Sequence, residues 1–137
     1  MKWILLALLL VLGTSCSEEE VYTQKELWYM AIEVDPDIEL VGIASHEEHR
    51  RILCKNYGPG CVKGTGRRIK VKKVEIIAIM FETKEQARTE ALRIDQYYAR
   101  NWVFDDIKGE PIQEAFVKKA FKAIDAKAEY MAAKEKE

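Results

Sequence analysis

Residues 68–82, RIKVKKVEIIAIMFE, carry the strongest strand signal in the chain. Side chains alternate across a strand, so Val74, Ile76, Ala78 and Met80 point one way and Ile77, Ile79 and Phe81 the other. Apolar residues on both sides need cover on both faces, which predicts a central strand. Lys70, Lys72 and Lys73 interrupt Ile69 and Val71 in the first half, which is expected to protrude into solvent.

Working outward, Thr83-Lys84-Glu85-Gln86 has capping-box spacing and predicts a helix from there to about Arg100. Ala87, Ala91, Leu92, Ile94 and Tyr98 give it an apolar stripe. Residues 101–104 predict a short edge strand. Pro111 suits the first turn of a last helix, with Ile112, Phe116, Ala120, Phe121, Ile124, Ala128 and Met131 along one face. Upstream, Trp28, Met30, Ile32 and Val34 alternate with Tyr29, Ala31 and Glu33, which predicts a strand. A helix is the alternative, because Thr23 and Glu26 also have capping-box spacing. Asp35-Pro36-Asp37 reads as a tight turn into a second strand over residues 38–44. Ser45-His46-Glu47-Glu48 predicts a helix through about Lys55, stopped by Gly58-Pro59-Gly60. The fold class is therefore α+β: a small antiparallel or mixed sheet of three to four strands, packed by about three helices, with one disulfide-stapled loop.

The first residues read differently. A lysine at position 2, an apolar run from Trp3 to Leu12 and the small residues Gly13, Thr14 and Ser15 have the layout of a signal peptide. The run is shorter than the roughly 20 apolar residues that a membrane-spanning helix needs. Gly13-Thr14-Ser15-Cys16 resembles the lipobox of bacterial lipoproteins. That resemblance implies that Cys16 is acylated and becomes the mature N-terminus. Ordinary secretion, with Gly13 and Ser15 before a conventional cut, is the alternative. The expected organisation is a signal peptide over 1–15, a lipidated N-terminus and tether over 16–22, and a single domain over 23–137. By the same resemblance, Ser17 after the acylated cysteine implies the outer membrane, facing the periplasm.

Export has a second consequence. Of three cysteines, Cys54 and Cys61 are left to pair in an oxidising compartment, and the glycines between them permit the reversal a disulfide needs. The Cys-x-x-Cys redox spacing is absent, so the expected role is a structural staple.

The chain as a whole has 22 basic and 23 acidic side chains, which argues against a general polyanion binder. The distribution is uneven. Arg50, Arg51, Lys55, Lys63, Arg67, Arg68, Lys70, Lys72 and Lys73 follow one another with no acidic residue between them. A stapled, glycine-rich cationic loop can seat phosphate or carboxylate groups; it can also serve as a solvated face that blocks edge pairing. Nucleic acid is not expected outside the cytoplasm.

Familiar chemistry is missing from the pattern. Gly-x-Gly-x-x-Gly fails at Lys63, and no Gly-Lys-Ser/Thr occurs. His46 and His49 stand three apart, one short of the metalloprotease spacing, and no serine lies in Gly-x-Ser-x-Gly. Tyr97, Tyr98, Asn101, Trp102 and Phe104 read as a core cluster rather than an interface anchor. The expectation is a non-enzymatic, membrane-anchored binding or envelope-scaffold protein with no cofactor and no metal. It would contact an anionic envelope component or an acidic protein through residues 54–73. The competing classes are an inhibitor or immunity protein using the stapled loop, and a small metal enzyme assembled from residues such as His46, His49 and Asp105.

Overall fold

The computed structural model describes residues 21–137; the signal peptide expected over 1–15, Cys16 and the expected tether as far as residue 20 lie outside the described residues. The elements in chain order are α1 (Gln24–Val34), β1 (Glu39–Leu40), β2 (Arg67–Val71), β3 (Val74–Met80), α2 (Lys84–Ile94), β4 (Tyr97–Ala99), β5 (Trp102–Asp105), α3 (Pro111–Phe121), β6 (Ile124–Asp125) and α4 (Ala126–Lys134). Two 3₁₀ turns, Ser45–Arg50 and Cys54–Asn56, lie in the long excursion between β1 and β2. The six strands form one sheet in the order β1-β2-β3-β5-β4-β6, antiparallel throughout. The α+β class holds, but the sheet has six strands where three to four were expected.

β3 is central, and both of its faces are covered as its sequence requires. Ile76 and Ala78 join Ile69, Val71, Trp102 and Phe104 under α1 and α3, whose Leu27, Ala31, Phe116, Val117 and Phe121 are buried against them. Phe104 and Phe121 stack with ring centroids 4.7 Å apart. On the other face Ile79 and Phe81 join Tyr98 and Val103 under Ala87 and Ala91 of α2 and Ala126 at the start of α4. The aromatic cluster is core: Tyr97, Tyr98, Asn101, Trp102 and Phe104 are all buried.

Several boundaries differ from the sequence expectation, each for a local reason. Residues 24–34 form a helix, because both capping-box bonds are made: the Thr23 hydroxyl accepts from Glu26 N–H and the Glu26 carboxylate from Thr23 N–H. The predicted long strand over residues 68–82 is a hairpin, folded at Lys72-Lys73, with Val71 opposite Val74. The helix from Thr83 ends at Ile94, because Asp95 adopts left-handed backbone (φ 55°) and caps it. That frees Tyr97–Ala99 to pair with β5, which is internal rather than an edge. The last helix is broken the same way at Lys122 (φ 55°), leaving Ile112 and Met131 exposed. Residues 45–55 make 3₁₀ turns instead of a helix: Ser45 makes no cap bond, and Glu48 holds Arg51 instead (2.6 Å).

Tyr22, in the segment expected to be a tether, is tied to the sheet. Tyr22 N–H donates to Asn101 Oδ1 (2.7 Å), its carbonyl accepts from Trp102 Nε1 (2.8 Å), and Arg100 lies over its ring. Among the described residues, no helix is long and apolar enough to cross a membrane.

Candidate functional site

The excursion between β1 and β2 is held down at several points. Cys54 and Cys61 are disulfide-bonded with their Cα atoms 5.5 Å apart. A short covalent loop of this kind contributes somewhat less than the ~3 kcal/mol expected for a 15-residue loop. Beyond it, Val62 N–H donates to Met80 O and Glu82 N–H to Gly60 O, which fastens the loop to the end of β3. The Thr65 hydroxyl donates to Val62 O (2.7 Å) and accepts from Met80 N–H (3.1 Å). Tyr57 donates to Asp105 Oδ2 at the end of β5 (2.8 Å). Burial pushes the Tyr57 hydroxyl pKa up, and the bond to Asp105 pushes it further. Asp105 thus helps to hold the loop against the end of β5.

Three glycines make the close packing possible. A methyl group on Gly58 would sit 2.4 Å from Glu90 Oε2, one on Gly60 2.2 Å from Gln86, and one on Gly66 2.5 Å from Ile52 Cβ. Three of the four glycines in residues 58–66 therefore lie directly on side chains, while Gly64 has open space around it and a left-handed backbone (φ 77°), with no nucleotide motif involved.

Held this way, the excursion walls a cleft of about 700 Å³. It gathers Arg50, Arg51, Lys55, Lys63, Arg67 and Arg68, six of the basic residues singled out in the sequence, around Val41, Ile43, Ile52 and Leu53. Lys70, Lys72 and Lys73 lie outside it: Lys70 stands opposite Glu75 in the ladder, and the other two form the β2–β3 turn. So the cationic run is one cleft plus a separate hairpin tip. Sequence inspection missed the four apolar residues, and the alternation of Val41 and Ile43 in the predicted strand was the signal available.

The cleft cations are of two kinds. Arg50 donates twice to Glu75 (2.7 and 2.6 Å) and is further held by Glu47, and Arg51 is paired to Glu48. The hydrogen bond with Glu75 raises the Arg50 pKa above its ordinary value. Arg68 donates to Arg50 O (2.8 Å) and lies 3.7 Å from Glu75. Arg50 and Arg68 thereby bind the excursion to the sheet, while Arg51 is paired within the excursion. Arg67 donates only to the carbonyls of Gly64 and Gly66, both at 2.8 Å. Among the described residues Arg67, Lys55 and Lys63 have no carboxylate partner, and all three are exposed.

His46 and His49 are exposed on the first 3₁₀ turn. Among the described residues no three of His, Cys, Asp and Glu are grouped as metal ligands would be. No family model, no curated protein and no solved structure matches this chain.

Proposed function

We propose that this chain is an exported, lipid-tethered protein of the cell envelope. Its folded domain binds anionic groups in the cleft between β1, β2 and the stapled excursion. The leader and the lipobox-like residues 13–16 support the tether, with the outer membrane as destination. The observation that carries the binding role is the pooling of Arg67, Lys55 and Lys63, without carboxylate partners among the described residues, around one apolar-floored cleft. Unpaired cations beside low-dielectric walls concentrate anions more than the same charges spread over a convex surface. Structural pairing explains Arg50, Arg51 and Arg68 and leaves these three for a ligand.

Titration with inorganic polyphosphate tests the reading. Reversing together the three cations that lack carboxylate partners among the described residues (Lys55→Glu, Lys63→Glu, Arg67→Glu) is expected to weaken binding at least about tenfold, or ~1.4 kcal/mol. Reversing Lys72 and Lys73 at the hairpin tip should cost less than about threefold. Equal losses in both variants would mean diffuse surface charge and would overturn the cleft as the site.

A further inference from the structure

β1 is the end strand of the sheet, and its outer side is open among the described residues. Leu40 is 55% exposed, and a methyl group on Gly42 would meet no atom within 4 Å. In an antiparallel ladder, pairs that exchange hydrogen bonds alternate with pairs that do not. Val41 N–H donates to Arg68 O (2.9 Å), so the neighbouring Leu40–Ile69 pair is of the second kind. The N–H and C=O of Leu40 therefore point away from β2, to the open side.

Each face of this strand borders a different cleft. Leu40 shares its face with Ile69 and helps to line an apolar cleft of about 340 Å³ that also includes Leu27, Trp28 and Trp102. Val41, one residue on, faces the opposite way and lines the cationic cleft. Arg67 borders both. An added strand offers its own side chains alternately to the two faces, so one set would meet apolar walls and the other the cations that border Val41, on a face where Glu39 already stands opposite Lys70.

We propose that β1 accepts an extended segment of a partner protein as a seventh, antiparallel strand, and that this segment alternates acidic and apolar residues. The proposal rests on the anion-binding reading of the cationic cleft and names the carrier of the anions. Charge complementarity selects the acidic positions, and the exposed Leu40 and the tryptophan-walled cleft select the apolar ones. Antiparallel geometry adds a specific requirement. The partner residue opposite Leu40 shares its face and returns its hydrogen bonds, so the apolar residues of the segment point their N–H groups at β1. The acidic residues point theirs at solvent.

Synthetic octapeptides of alternating glutamate and valine test this on the full folded domain. N-methylation of the valine amides should weaken binding at least about tenfold, whereas N-methylation of the glutamate amides should change it less than about threefold. A permuted peptide of the same composition, with its glutamates in one block, should bind at least about tenfold more weakly. Equal binding of the alternating and permuted peptides, or equal sensitivity to the two methylations, would overturn strand addition. If the peptides fail while polyphosphate still binds, this proposal falls and the anion site stands; if neither binds, both fall. Displacement of a second copy of the chain, rather than binding to a monomer, would also overturn it, and sedimentation reads that directly.

Discussion

At the scale of single residues, this molecule depends on places where a side chain is absent. Gly66 lies against Ile52, whose Cβ and backbone oxygen would be 2.5 and 3.0 Å from an added methyl group. Backbone cannot swing aside as a flexible side chain can, so Gly66→Ala should destabilise by about 1–3 kcal/mol. Gly42→Ala has open space around it and should be within about 0.5 kcal/mol of the parent. Urea unfolding midpoints of the two variants check the pair. Glu90 shows the opposite case: a carboxylate only 3% exposed, paired with Arg93 and lying under Gly58. Nothing in the sequence around Glu90 marks it as buried, because the other acid of its helix, Glu85, faces water. Its burial comes from the disulfide loop that closes over it.

At the scale of elements, local chemistry decided where helices begin, and backbone conformation decided where they end. Both Thr23 and Thr83 form complete capping boxes, and both were legible as Thr-x-x-Glu or Thr-x-x-Gln. Thr83→Ala should cost about 1 kcal/mol, visible as a lowered unfolding midpoint with an unchanged slope. The ends were not legible, because Asp95 and Lys122 stop α2 and α3 in left-handed backbone that usually belongs to glycine. The hairpin turns hide in the same way. Lys72 (φ 57°) and Arg100 (φ 48°) take positive φ without an Asn-Gly or Asp-Gly signal. Each cost of about 1–2 kcal/mol is offset by strand pairing and burial on both sides of the turn. Residues 68–82 therefore looked like one strand and residues 84–100 like one helix.

At the scale of the whole molecule, burial of polar aromatic rings couples the fold to pH. Tyr57, Tyr97 and Tyr98 donate to Asp105, Glu114 and Glu129, and burial raises the pKa of all three well above the ordinary tyrosine value. The hydrogen bonds to those carboxylates add to the rise. A group whose folded pKa lies above its unfolded value contributes stability in full below the unfolded pKa. That contribution is lost as pH climbs from there towards the folded value. Stability should therefore fall as pH rises above about 10. Tyrosinate absorbance should show these three rings ionising together with loss of the near-ultraviolet circular dichroism. Smooth, independent titration of all three before unfolding would contradict the expectation.

From the chain alone came the α+β class, the two-sided burial of residues 76–81, the Cys54–Cys61 staple and the concentration of cations around it. Each rests on local pattern: alternation, capping spacing, a cysteine pair, charge order. Only the tertiary structure decided that the sheet has six strands, that β5 is internal, and that six of nine cations meet in one cleft. It also decided which of those cations are already neutralised. Pairing partners such as Arg50 and Glu75 lie 25 positions apart, and their meeting depends on how the chain returns across the sheet. Sequence order carries no record of that distance.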